Sequence, residues 1–294
     1  MKLINKIRAK LPKRLNNMLT IGWNQWWDPY YQGFAAQMAF FYLLSIVPLV
    51  GVISQLLGVF DISIDYLRDM ISQYVDFEVA NILIEYLNNS NGAFTSVVMV
   101  AIAFWAASRG QFALGRIANY TMTGGETTGE YFRERFRALF TMLIVLITIV
   151  AAFVVLVYGE MLFKAIFGDV VGEDVILGLR WIVGMALYFL MISCNFYVLP
   201  KKRVPFKKII PGATFASVGL LFITWLYSLY ISYISEYNIL YGSFATIVAL
   251  LFWFYFLAWV MWLGLLVNKC WIDSEIQGEL EEVFAGQQDD GEVK

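Results

Sequence analysis

The chain has no histidine and only two cysteines among 294 residues. Without imidazole, Ser-His-Asp and Cys-His catalysis and His-containing zinc sites are excluded. Cys194 and Cys270 lie far apart, one inside an apolar run and one just after another, and suggest buried thiols rather than a disulfide framework. No GxxxxGK[ST] loop is present, which argues against nucleotide-driven pumping by this chain alone. Charge is scarce as well: Asp, Glu, Lys and Arg make up 15% of the residues, against about 25% in ordinary globular domains. With a net charge of −2, the chain lacks the basic surplus of a nucleic-acid-binding protein. Nothing calls for a metal or cofactor, and the sequence gives no sign of an enzyme.

Apolar residues, by contrast, reach 60%. They gather into six long runs, at 34–58, 93–113, 139–163, 176–199, 209–232 and 243–267. The stretch from Phe244 to Val267 contains no charged residue. About 20 helical residues, rising about 1.5 Å each, cross a hydrocarbon core about 30 Å thick. The expected fold is therefore an all-α membrane protein of six transmembrane helices with short amphipathic interfacial helices. Three regions follow: a basic amphipathic segment at 1–33, a six-helix domain at 34–267 and an acidic tail at 268–294.

Seventeen of the 21 Lys and Arg residues fall in the termini and in connections 114–138 and 200–208. The opposite connections hold only Arg68 and Lys164, while Arg109 and Arg180 sit inside span ends. The positive-inside bias therefore predicts a multi-pass protein with both termini cytoplasmic. The first 33 residues lack the apolar core and cleavage site of a secretory signal. Ile4, Ile7, Leu11, Leu15 and Met18 instead recur at helical spacing among lysines, which fits a helix on an anionic membrane surface, broken or kinked at Pro12. Trp23, Trp26 and Trp27 then suit the headgroup boundary. Residues 59–92 carry two short helical stripes beside Asp65, Asp69, Asp76, Glu78 and Glu85, readable as outer interfacial helices or as a cover for the outer mouth.

Inside the spans, Ser45 and Pro48 form a candidate kink and gate. Pro48 lacks an amide hydrogen and its ring clashes with the Leu44 carbonyl, which then needs Ser45, a neighbouring helix or cavity water as partner. Arg109 is expected to face the bundle, to snorkel toward headgroups, or to grip an anionic substrate through its planar fork. Gln37, Gln55 and Asn195 are candidate linings of a polar cavity. Ser193, Thr214, Ser217, Thr224 and Ser228 can bond a neighbouring helix or their own backbone. Gly212, Ala216 and Gly219 form a small-residue stripe on which a second helix could sit closely. Glu160 is the one carboxylate inside any run, near an outer end, which disfavours a proton- or cation-coupled carrier.

Four segments in order resemble the YihY/BrkB family of bacterial membrane proteins. They are Ala35-Ala36-Gln37-Met38-Ala39-Phe40-Phe41-Tyr42 running into Ser45 and Pro48; Trp105 to Arg109; Leu199-Pro200 through Pro211-Gly212-Ala213; and Tyr241-Gly242-Ser243 leading to Trp253 and Gly264. The similarity covers roughly residues 30–270. The family tends toward Tyr-Tyr and Ser-Leu-Phe-Pro where this chain has Phe40-Phe41-Tyr42 and Ser45-Ile46-Val47-Pro48. The resemblance implies a six-helix protein of the bacterial cytoplasmic membrane, in a family linked to moving lipid-linked or amphiphilic molecules and to salt and solute tolerance. It also carries an older ribonuclease label, for which these residues offer no general acid-base or metal site.

The function expected is thus a transporter or flippase-like protein for amphiphilic, anionic or lipid-linked molecules. A non-transporting scaffold for envelope proteins or lipids, working through small-residue faces and outer acidic helices, is the second reading, and an ion or compatible-solute carrier the third. Membrane lipids and further copies of the chain are the partners open to it; nucleic acid is not.

Overall fold

The structure, a computed structural model, describes residues 12–59, 97–125, 129–167, 173–234 and 242–292. Its regular elements there are all helical: α1 (Lys13–Trp26), α2 (Tyr30–Val59), α3 (Val97–Thr123), α4 (Tyr131–Phe167), α5 (Glu173–Val198), α6 (Ile210–Ile234) and α7 (Gly242–Glu292), with a 3-10 turn at Phe206–Lys208 before α6. No strand occurs among the described residues.

Among the described residues, four helical stretches are long and apolar enough to cross a membrane: Tyr131–Val155, Gly178–Val198, Ile210–Ile231 and Ile247–Gly278. A shorter apolar stretch runs from Gly33 to Ile46. The first two expected runs fall on α2 and α3. The outward faces of the long helices are apolar too. Phe132, Phe136, Phe140, Leu143 and Ile147 are exposed along α4, as are Val218, Phe222 and Trp225 along α6. A helix apolar on both inner and outer faces matches lipid on one side and protein on the other.

Capping explains several element boundaries. Pro12 precedes the first residue of α1, so its missing amide costs no hydrogen bond there. At the α1–α2 corner the Tyr30 amide donates to Asp28 Oδ1 at 3.0 Å, capping α2. Gly124, at φ 76°, ends α3 in the left-handed conformation, and the Gly125 amide returns to the Tyr120 carbonyl at 2.9 Å.

One end of the bundle, where α1 meets α7, is rich in polar ties and is called the charged end below. Buried Asn119 on α3 donates to Glu134 Oε1 at 2.8 Å and accepts the Lys201 amide at 2.6 Å, joining three parts of the chain. Lys201 Nζ reaches Glu130 Oε1 at 2.7 Å and holds that carboxyl below its usual range. Lys208 pairs with Glu275 at 3.0 Å. The main core lies at this end, around Tyr31, Met38, Ile117, Phe196, Trp262 and Leu265. A smaller cluster of Val52, Ile53, Ala107, Met142, Leu146 and Phe153 fills the seam of α2, α3 and α4.

Helix α7 does not stop where its apolar run ends. It continues to Glu292, and Asn268, Cys270, Ile272 and Ser274 are buried in the bundle. Their partners are α1 and the start of α6: Arg14 stacks over Trp271 at 4.3 Å, and the Gly212 amide donates to Asn268. Hydropathy alone misses packing contributed by alternate small and polar residues. Apart from Val59, which ends α2, the expected outer helices at 59–92 and the first eleven residues lie outside the described residues.

Candidate functional site

Helices α2 to α7 all contribute to one central cavity of about 400 Å³. Tyr42, Ser45 and Leu49 come from α2, Ala107, Gln111 and Leu114 from α3, and Met142, Val145 and Ile149 from α4. Tyr188, Met191, Ile192 and Asn195 come from α5, Leu220 and Thr224 from α6, and Trp253, Phe254, Leu257 and Met261 from α7. The position opposite Tyr42 on α3 is Gly110, where a Cβ would overlap the tyrosine ring, so its absence brings α2 and α3 together at the cavity wall.

Most of the wall is apolar, and several of its polar groups are occupied locally. Ser45 Oγ donates to the Tyr42 carbonyl at 2.9 Å, Thr224 Oγ1 to the Leu220 carbonyl at 2.8 Å, and Asn195 Nδ2 to the Met191 carbonyl at 2.8 Å. Two acceptors are left over. Gln111 Oε1 and Asn195 Oδ1 are buried and have no hydrogen-bond partner among the described residues. An unpartnered buried carbonyl oxygen costs roughly 1–3 kcal/mol, which a donor from water or from a ligand offsets. None of the described lining side chains is charged.

The residues expected to line such a cavity are placed unevenly. Ser45 and Asn195 are on its wall. Pro48 is half-buried within α2, which runs as one helix from Tyr30 to Val59; the Ser45 hydroxyl is committed to Tyr42 rather than to the Leu44 carbonyl. Gln37 is half-buried away from the wall, and the Gln55 side chain lies outside the described ones, as does that of Glu160. Arg109 is exposed, with its guanidinium 6.0 Å from the Phe41 ring, and does not line the cavity. Ser193 and Ser217 bond the carbonyls four residues earlier on their own helices.

Among the described residues, the arginine that the fold buries is Arg135, 3% exposed. Its Nη2 donates to the Trp105 carbonyl at 2.7 Å and its Nη1 to the Ser108 carbonyl at 3.4 Å. The guanidinium also lies 4.2 Å over the Trp105 ring. Arg135 therefore ties the start of α4 to the middle of α3. Reading the third run from residue 139 assigns Arg135 to a connection, but the helix begins at Tyr131. Helical phase would have found it: Arg135, Ala138, Met142 and Leu146 share the buried face. Gln111 was open to the same logic, being in phase with buried Ser108, Leu114 and Ala118.

The small-residue stripe of α6 is used inside the chain. A Cβ at Gly212 would overlap the Gly264 carbonyl oxygen, and one at Gly219 would stand 2.7 Å from Val260 Cγ1. That face seats α7 and is closed to an outside partner.

Residues 23–282 match the family described as Virulence factor BrkB. Among curated proteins, the ribonuclease-like protein YfkH of Bacillus subtilis is 29% identical over 245 residues, covering 81% of this chain and 88% of YfkH. The UPF0761 membrane protein PSHAa0171 of Pseudoalteromonas translucida is 40% identical over 74 residues, about a quarter of each chain. A UPF0761 membrane protein of Stenotrophomonas maltophilia is 34% identical over 88 residues, 28% of this chain and 20% of the relative. No solved structure matches. With a helical bundle apolar on its outer face and a match that runs through all of its long helices, this chain belongs to the BrkB family of membrane proteins.

Proposed function

We propose that the protein is a flippase-like transporter of amphiphilic, lipid-linked molecules, crossing the bacterial cytoplasmic membrane six times with both termini in the cytoplasm. The observation that carries this reading is the central cavity walled by every long helix, with Gln111 and Asn195 on its wall, each holding a buried carbonyl oxygen that has no partner among the described residues. Transport sites form where several helices converge and leave polar groups facing a space rather than each other. A scaffold working through small-residue faces is disfavoured, because the stripe on α6 is already covered by α7.

The wall chemistry refines the cargo. An uncharged group bearing hydroxyl or amide N–H donors fits the two acceptors, while an anion would meet carbonyl oxygens and no cation. Negative charge elsewhere on the molecule is matched by exposed Lys202, Arg203 and Lys207 at the charged end. This assignment gives the chain no catalytic role and no nucleic-acid ligand.

The test is translocation in reconstituted vesicles. Fluorescent lipids with an uncharged hydroxyl-bearing, a zwitterionic or an anionic head are loaded and bleached by an impermeant reductant. Faster loss of inner-leaflet signal for the hydroxyl-bearing lipid than in empty vesicles is expected. Rates equal to empty vesicles across the panel would overturn the transport reading.

A further inference from the structure

Two polar atoms are stranded on the other side of the cavity wall. Tyr227 Oη on α6 and Trp253 Nε1 on α7 are buried without a hydrogen-bond partner among the described residues, although their rings stack with centroids 5.2 Å apart. Tyr227 is 6% exposed. Trp253 belongs to two spaces at once: it lines the central cavity and also a second hollow of about 390 Å³ between α6 and α7. The outer rim of that hollow, Leu226, Tyr230, Phe252 and Phe256, is exposed on helices long and apolar enough to cross the membrane. Its surroundings are therefore hydrocarbon, and a lipid chain is what reaches it.

The chemistry at the inner wall narrows the occupant. A plain hydrocarbon would leave both the phenol O–H and the indole N–H unpaired in a low-dielectric setting. Once the Trp253 ring turns and uncovers them, an ester carbonyl accepts from both donors, and its acyl chain fills the aromatic hollow. We propose that the α6–α7 flank is a side entrance that binds the acyl chain of an ester-linked lipid, with Trp253 as the wall between this entrance and the central cavity. The inference rests on the transport reading for the purpose of the entrance, while chain binding stands on the hollow alone. Rotation of the Trp253 ring would join the two spaces without breaking any hydrogen bond, since its N–H makes none.

The experiment uses full-length protein in nanodiscs containing a diacylglycerol whose acyl chain carries a diazirine. After illumination, adducts are mapped by peptide mass spectrometry. Adducts concentrated on 223–230 and 249–256, with a second set on cavity residues near Met191, are expected. Ala249→Trp fills the hollow from its buried inner side and Leu226→Trp narrows it from the rim; each should reduce both sets by about tenfold, and agreement between them separates blockage from misfolding. Trp253→Phe, which keeps a ring but loses the N–H, should weaken groove adducts while leaving access to the cavity. Groove adducts no more abundant than those on the outward Val218–Phe222 face would overturn the binding site. Cavity adducts that persist in both filling variants would overturn the entrance, and the transport reading would survive. Adducts as expected with no translocation in wild type would uphold the entrance and sink the transport reading.

Discussion

The Gly212 amide donates to Asn268 Oδ1 at 2.7 Å, so a side chain from α7 satisfies one of the free amides in the first turn of α6. Pro211 beside it has no amide to satisfy, and Gly212 itself lies so close to Gly264 that a Cβ would overlap the Gly264 carbonyl oxygen. Hydrogen bond and close approach depend on each other. Asn268→Ala is expected to destabilise the protein by about 1–3 kcal/mol, the cost of leaving that buried amide unpaired. Gly212→Ala should cost a similar amount, about 1–3 kcal/mol, through overpacking. Thermal unfolding in detergent measures both; a change within 0.5 °C of wild type for either variant would contradict the proposed contact.

Arg135 and Arg109 should separate cleanly on stability. Replacing Arg135 with Ala removes a charge-assisted bond to the Trp105 carbonyl and the stacking over its ring, a loss of about 2–3 kcal/mol. Arg109 is exposed, and Arg109→Ala is expected within about 0.5 kcal/mol of wild type. Arg135→Lys should recover little, because an ammonium cannot span the Trp105 and Ser108 carbonyls as a fork does. Equal sensitivity of the two positions would contradict this assignment.

The contrast also marks what the sequence discloses. Long apolar runs are read directly because hydrocarbon thickness sets their length, and Asn195 and Ser45 stand out as polar residues inside them. Arg135 was hidden because a hydropathy edge at 139 is not a helix edge, and α4 starts a full two turns earlier. Arg109, sitting inside a run, is open by sequence either to facing the bundle or to snorkelling, and its phase on α3 turns it outward. The tail past Val267 reads as a polar appendage, but small residues let it pack as a continuation of α7. Convergence of Gln111 and Asn195 joins residues 84 positions apart and is a property of the fold alone.

Asp28 and Tyr120 give a pH signature. The phenol donates to Asp28 Oδ2 at 2.7 Å, and chiefly because of that bond its pKa is pushed up to about 12 from 10.0. A raised pKa means that the fold favours the protonated phenol. Its contribution is complete below pH 10 and is lost as pH rises from 10 through about 12. Asp28→Asn should flatten this alkaline limb of the unfolding curve relative to wild type. An identical limb in both proteins would show that the pair is not coupled to stability.

Topology is tested by thiol labelling in a background where Cys194 and Cys270 are replaced. Single cysteines at exposed Lys202 and Gln277 report the charged end, and one at exposed Val175 the opposite end. Ser274 is buried and would be silent from either side. An impermeant maleimide on intact cells should label Val175→Cys alone; labelling of Lys202→Cys or Gln277→Cys without permeabilisation would reverse the orientation.

The most direct measurement compares wild type with Gln111→Leu/Asn195→Leu in vesicles carrying the lipid with the uncharged hydroxyl-bearing head. The two substitutions remove unpartnered carbonyls, and at Asn195 also the amide hydrogen bond to the Met191 carbonyl, so the opposing effects should leave stability near that of wild type. Translocation should nevertheless fall at least tenfold, the equivalent of about 1.4 kcal/mol of lost hydrogen bonding, while Arg109→Gln transports that lipid at the wild-type rate. A double variant that matches wild type would contradict the claim that Gln111 and Asn195 hold the cargo.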